Sequence, residues 1–171
     1  MDTHDLRKVN CIIGIDPDCE KSGLAIYLPN VEKILTCCLP FAELIDQVLG
    51  WVETYNVECV VEAGWKNQSN WHIGNNCNKR QAAAIGNAVG RNHETGRKIV
   101  EMLRHYGVYV VEQPPYIKTW GGQDRKITHK EVVYILENNG IQYLFKQTNQ
   151  EVRDAILLAL LQANKPLTIK I

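Results

Sequence analysis

The sequence lacks features that would assign it at once to a membrane, secreted or thiol-dependent class of protein. No apolar run approaches the roughly 18 residues that cross a bilayer, and residues 1–10 are polar, without the core of a signal peptide. None of the 6 cysteines has C-x-x-C spacing to another. We therefore expect a cytoplasmic protein in which most cysteines are reduced and packed in the core.

The chain also carries no net charge, because its 19 basic side chains balance its 19 acidic ones. A neutral total argues against a polyanion partner, but the charges are unevenly distributed. Residues 1–65 hold 4 basic and 11 acidic side chains, whereas residues 66–130 hold 11 and 4. With 171 residues, 45% of them hydrophobic, the composition predicts one globular domain, residues 1–171, with a basic middle third.

Apolar patterning predicts five strands and four helices in the order β-β-β-α-β-α-β-α-α. The predicted strands are 11–16, 22–28, 31–39, 57–62 and 107–112, and the predicted helices are 41–55, 79–106, 128–138 and 148–163. The first three strands are close enough together for an antiparallel meander, and the fourth, reached through a helix, is expected to run parallel to the first. This order is that of the ribonuclease H-like fold, an α/β fold with a five-stranded mixed sheet and helices on both faces.

The long second helix carries small residues at Ala82, Ala83, Gly86 and Gly90, which we expect to let it pack closely against the sheet. The polar segment before it, residues 64–78, is predicted to be a long loop, and loops of that length in compact domains are usually functional or mobile.

Carboxylates end the two most apolar strands. Asp16 follows C-I-I-G-I and Glu62 follows V-E-C-V-V, and two parallel neighbours would bring both side chains to one edge of the sheet. The last helix adds Glu151 and Asp154, which share a helix face. Glu151 has an alternative role, because Thr148 and Glu151 have the spacing of a capping box. Carboxylates gathered without histidine or thiolate ligands favour Mg²⁺ or Mn²⁺, and a pair of such ions would support phosphodiester hydrolysis.

Four segments together resemble the RuvC family of Holliday junction resolvases, particularly its phage or prophage members. They are I-G-I-D-P-x(5)-G-L-A-I at 13–26, V-V-E at 60–62, A-x-x-x-G-x-x-x-G-R at 82–91 and E-V-R-D-A at 151–155. The resemblance covers almost the whole chain, although the loop at residues 66–78 looks longer than is usual in the family.

The resemblance implies a homodimeric, bacterial or phage-encoded endonuclease that cuts four-way DNA junctions with two symmetric nicks and uses two Mg²⁺ ions, for which Mn²⁺ could substitute. It implies Asp16, Glu62 and Asp154 as metal ligands, with Glu151 beside them. It also implies junction stacking by Trp65, and the tryptophans at 71 and 120 also lie in polar loops that suit stacking on DNA. Phosphate contacts are expected from the basic segment, at Lys66, Lys79, Arg80, Arg91, Lys118, Arg125, Lys126, His129 and Lys130.

Other functions remain open at this point. A related nuclease for other branched or single-stranded DNA would have the same fold and the same acids. The phrase I-G-I-D-x(6)-G also opens the sugar kinase and actin-like ATPase families, but their members need two such domains. A DNA-binding module without catalysis is disfavoured by the four acids. We expect no membrane partner and no organic cofactor.

Overall fold

The computed structural model describes residues 10–67, 78–117 and 119–168. Five strands and four α-helices follow one another in the predicted order, with short 3-10 turns at Pro29–Val31, Gly64–Lys66 and Gln123–Arg125. They are β1 Cys11–Asp16, β2 Ser22–Leu28, β3 Lys33–Leu39, α1 Phe41–Val52, β4 Val57–Glu62, α2 Lys79–His105, β5 Tyr109–Gln113, α3 His129–Asn138 and α4 Gln150–Gln162.

The five strands form one mixed sheet with the order β3-β2-β1-β4-β5. β1 pairs antiparallel with β2, which pairs antiparallel with β3. β4 runs parallel to β1 on its other side, and β5 runs parallel to β4. The predicted arrangement of three antiparallel strands extended by two parallel ones is therefore confirmed.

Each face of the sheet has its own hydrophobic core. Alternate residues of β1 divide between the two cores, with Ile13 and Ile15 in the core that α1 and α2 cover and Ile12 in the core that α3 and α4 cover. Helix α4 is buried from Asp154 to Leu160 without interruption, because it lies directly on the sheet, and an apolar helix of this kind belongs in a core. Helices cover both faces, as the sequence predicts.

Close packing of α2 through its small residues was a wrong expectation. The buried residues of α2 are Gly96, Ile99, Val100 and Leu103, all in its C-terminal half. A Cβ added at Gly86 or at Gly90 would meet no neighbouring atom within 4 Å. The N-terminal half of α2, where these glycines lie, therefore extends away from the two cores, and its glycines are not there to pack against the sheet.

The described cysteines are all free thiols, as expected, but they are not all in the core. Cys11 and Cys59 are buried, Cys37 and Cys38 are half-buried, and Cys19 is exposed. Cys77 lies outside the described residues. Among the helices that the structure describes, none is long and apolar enough to cross a membrane.

Candidate metal centre

Asp16 and Glu62 stand side by side at the carboxyl ends of β1 and β4. The last paired residues of these parallel strands are Ile15 and Val61, so the two acids come next in register, on strands that are about 4.8 Å apart. Alternation places Asp16 on the α4 side of the sheet with Ile12. Glu62 lies on the same side as Glu58, which accepts a hydrogen bond from Gln162 of α4 at 2.6 Å. Both acids are half-buried.

Two glycines bring α4 onto this face. A Cβ at Gly14 would lie 2.1 Å from the carbonyl oxygen of Ala155, and one at Gly23 would lie 2.1 Å from the carbonyl oxygen of Glu151. Gly23 is the residue that pairs with Asp16 across β1 and β2. The first turn of α4 therefore rests on the strand beside Asp16, and only glycine leaves room for this approach.

Asp154 lies one turn further along α4 and is only 8% exposed. Its Oδ1 accepts a hydrogen bond of 2.9 Å from Nε2 of Gln150. A carboxylate that is buried to this extent needs such partners, because an unpaired buried charge is costly. Asp154 directly precedes Ala155 and Ile156, which are fully buried, and this position explains its burial.

The capping box that was the alternative role for Glu151 does not form. Helix α4 begins at Gln150, its N-cap is Asn149, and the Asn149 side chain accepts from the amide of Val152 at 3.0 Å. Asn149 has the same three-residue relation to Val152 that Thr148 has to Glu151, and asparagine is a favoured residue at this position. The Thr148 hydroxyl instead lies 3.0 Å from Nδ1 of His129. The half-buried carboxylate of Glu151 is therefore not used in a capping box at this helix start.

The donor chemistry suits a hard divalent cation, since carboxylate oxygens are the ligands that Mg²⁺ and Mn²⁺ prefer. Across residues 10–67, 78–117 and 119–168, however, no three His, Cys, Asp or Glu side chains already stand close enough together to hold a metal ion. Asp16, Glu62 and Asp154 each interact with other groups. The acids thus lie on adjoining elements at one face of the sheet, but in this structure their carboxylates do not converge on one position where a metal ion would sit.

Tyr116 is a neighbour of Glu62 that the sequence analysis missed. It follows Pro114 and Pro115 after β5 and is half-buried. Its hydroxyl is buried and has no hydrogen-bond partner among the residues that the structure describes. Burial and the nearby charge of Glu62 raise the pKa of Tyr116 to about 12, so the phenol keeps its proton at neutral pH and can only be a neutral donor or acceptor there.

Two predicted DNA-contacting residues line a cavity beside Asp154. Lys126 and His129 border an open cavity of about 490 Å³ together with Gln150, the hydrogen-bond partner of Asp154. Nδ1 of His129 lies 3.0 Å from the Thr148 hydroxyl. Arg125 and Lys130 are exposed on either side of these residues in the chain. This part of the predicted basic surface is therefore joined to Asp154 through Gln150.

The other basic residues are distributed differently. Arg91 reaches the β1–β2 turn, where its Nη2 lies 2.8 Å from Sγ of Cys19, three residues after Asp16. Lys66 forms an ion pair with Glu112 at 3.4 Å, on the α2 side of the sheet. Lys79 and Arg80 are exposed in the first turn of α2, about 18 Å along the helix from Arg91. Lys118 lies outside the described residues.

Two of the three loop tryptophans pack against the cores. The ring of Trp65 would be 2.5 Å from a Cβ at Gly96, and the guanidinium of Arg97 stacks over it at 5.7 Å. Trp120 packs against the core under α3 and α4. Trp71 lies outside the described residues. Trp65 therefore lies against α2 in this structure, with Gly96 making room for its ring.

Comparison with known proteins gives structural neighbours only. No protein-family model matches the chain, and no curated protein matches it by sequence. The RuvC of T. thermophilus in complex with a Holliday junction substrate is 16% identical, with a TM-score of 0.50 over 90% of this chain and 92% of that one. The large terminase nuclease of thermophilic phage G20c with bound magnesium is 11% identical, also with a TM-score of 0.50, over 91% of this chain and 82% of that one. At such identities the likeness establishes the fold, which is ribonuclease H-like.

Proposed function

We propose that the protein is a metal-dependent endonuclease that resolves four-way DNA junctions. The observation that carries the proposal is the placement of Asp16 and Glu62 at neighbouring strand ends, with Asp154 on the helix that packs over them through Gly14 and Gly23. A structural neighbour with this fold is in complex with a Holliday junction substrate, and another is a nuclease with bound magnesium. Both neighbours support the proposal.

Asp16, Glu62 and Asp154 would hold the metal, and Glu151 would assist from the first turn of α4. Two Mg²⁺ ions held there, or Mn²⁺ in their place, would supply an activated water and stabilisation of the leaving oxygen of the phosphodiester. The chain's own residues do the remaining work. Gln150 holds the carboxylate of Asp154, and Lys126 and His129 face the cavity through which a neighbouring phosphate would approach.

Cutting a junction symmetrically needs two such sites, so the working form would be a homodimer. Basic residues on both sides of the acids, from Arg91 at the β1–β2 turn to Lys130 on α3, would hold duplex arms by their phosphates. Light scattering at assay concentrations tests the dimer, and a monomer would contradict it.

A second candidate is a nuclease for other branched or single-stranded DNA. It is kept because a nuclease that is not a resolvase, the terminase nuclease, matches the fold with the same TM-score as the resolvase. The two candidates share the metal site and differ in the DNA that they cut.

Cleavage of synthetic substrates separates them. The protein is incubated with Mg²⁺ and a four-way junction, a linear duplex or a single strand, and the nick positions are sequenced. Paired symmetric nicks in the junction alone support resolution, whereas preferred cutting of the single strand supports the second candidate. Equal cutting of the linear duplex contradicts junction specificity.

Asp16→Asn should bind the junction without cutting it, because it loses a metal ligand and keeps the basic surface. The matched control is Asp18→Asn, two residues along, where the side chain is used in the β1–β2 turn, accepting from the amide of Glu20 at 2.8 Å. It should cut normally.

A further inference from the structure

A chain of hydrogen bonds leads from the carboxylate of Asp154 to the loop before α3. Nε2 of Gln150 donates to Oδ1 of Asp154 at 2.9 Å. Oε1 of the same amide accepts from Nη2 of Arg153 at 2.9 Å. Arg153 in turn donates through Nε to the carbonyl of Ile127 at 2.9 Å and through Nη1 to the carbonyl of Thr148. All of these polar groups are partly buried.

This arrangement permits a single orientation of the Gln150 amide. A guanidinium can only donate and a carboxylate can only accept, so the amide oxygen must face Arg153 and the amide nitrogen must face Asp154. A flipped amide would lose both bonds and set its oxygen against the carboxylate. Arg153 therefore fixes Gln150, and Gln150 fixes one oxygen of Asp154.

The helix itself does not require these two side chains. Asn149 already caps α4, so Gln150 is not needed for that purpose. A cation in the opening turns of a helix opposes the helix dipole, yet Arg153 lies there at the fourth residue of α4. The fork of donors accounts for an arginine at this position, because it reaches two backbone carbonyls and one amide at once, an arrangement that a lysine ammonium cannot reproduce.

We propose that Gln150 and Arg153 are positioning residues that hold the Asp154 carboxylate in the orientation in which it binds a divalent cation. The proposal rests on the metal site proposed above and concerns residues that do not themselves bind the ion. It also ties that site to the basic loop, because Ile127, whose carbonyl Arg153 holds, directly follows Lys126 at the cavity. Partners that orient a metal-ligating carboxylate typically contribute about 10-fold to 100-fold to metal affinity.

The test is the binding of Mn²⁺ to the full chain without DNA, measured by calorimetry on Gln150→Met. The chain offers a matched control in Gln162→Met. Gln162 lies at the other end of the same helix and also donates to a carboxylate, Glu58, at 2.6 Å, but Glu58 is at the far end of β4 from Glu62. We expect Mn²⁺ to bind about 10-fold or more weakly to Gln150→Met and normally to Gln162→Met.

Arg153→Lys keeps the charge and removes the fork, and it provides the test should Gln150→Met fail to fold. We expect its Mn²⁺ affinity to fall with that of Gln150→Met, and wild-type affinity in this variant would overturn the role of Arg153. Equal affinities of the two glutamine variants would overturn the role of Gln150. Absence of Mn²⁺ binding to the wild-type chain would instead overturn the metal site itself, so the two failures are distinguishable.

Discussion

Removing the hydroxyl of Tyr116 should make the protein more stable. A buried donor without a partner costs the free energy of its lost hydration, about 1–3 kcal/mol, and the Tyr116 hydroxyl has no partner among the described residues. Tyr116→Phe keeps the ring and removes that cost. We therefore expect the free energy of unfolding to rise by about 1 kcal/mol or more, which for a chain of this size is a rise in Tm of about 2–4 °C per kcal/mol.

The matched control is Tyr27→Phe. Burial raises the pKa of Tyr27 to about 12 as well, with a contribution from its bond to Glu32, and its hydroxyl donates to the Glu32 carboxylate. The same substitution there breaks a hydrogen bond to a charged group, so we expect a loss of about 1.5–3 kcal/mol. The two Tyr→Phe variants should thus shift stability in opposite directions.

Urea unfolding and thermal melts of both variants measure the effect, and cleavage of DNA by Tyr116→Phe is measured in parallel. The Tyr116 hydroxyl lies near Glu62 and remains protonated. We therefore expect the Tyr116→Phe substitution to slow cleavage and to raise stability, which is a common trade-off at a functional site. A Tyr116→Phe protein that is less stable than wild type would refute the reasoning, since the hydroxyl would then have a partner in the folded state.

Three further predictions concern packing, charge and pH. In urea unfolding, Gly23→Ala should destabilise the protein by about 3 kcal/mol, because its Cβ would be 2.1 Å from the carbonyl oxygen of Glu151. Gly50 lies on the exposed part of α1, and a Cβ there would meet no atom within 4 Å. Gly50→Ala should therefore stabilise the protein by about 0.5–1 kcal/mol. In junction-binding titrations at several salt concentrations, Lys126→Gln should lower the slope of log affinity against log salt by about 1, whereas Lys98→Gln, which breaks a pair with Glu101, should leave it unchanged. Hydrogen bonds from Lys165 and Tyr27 lower the pKa of Glu32 below its ordinary 4.5. The stability that the ionised Glu32 contributes is therefore present above pH 4.5 and is lost as the pH falls through the lowered pKa. If the stability difference between wild type and Glu32→Gln stays constant on acidification, this prediction is wrong.

The sequence predicts the sheet and the strand-end acids because both follow from local patterns. Alternating or continuous apolar runs define β1 and β4, and a carboxylate directly after each run is visible without any tertiary information. Element ends shift by one to three residues, as at α1, which ends at Val52 rather than Tyr55. Periodicity does not mark where a helix leaves the core it packs on.

The errors arise where tertiary placement decides. A-x-x-x-G-x-x-x-G is compatible with close packing, but only the C-terminal half of α2 reaches the core. Thr148 and Asn149 offer the same capping spacing, but the Thr148 hydroxyl contacts His129 of α3, a tertiary contact that the sequence does not show. Tyr116 follows two prolines and has no periodic signal, so its position beside Glu62 depends on how the chain turns after β5. The link from Arg153 to Asp154 is equally invisible, since it needs the orientation of an amide.

The most direct test of the central claim is a crystal structure of the protein soaked with Mn²⁺ and measured at a wavelength that reveals manganese by its anomalous signal. We expect manganese peaks between the carboxylates of Asp16, Glu62 and Asp154, and their loss or weakening in Asp16→Asn. An ordered crystal with no manganese at these side chains, or with manganese bound only elsewhere, would contradict it.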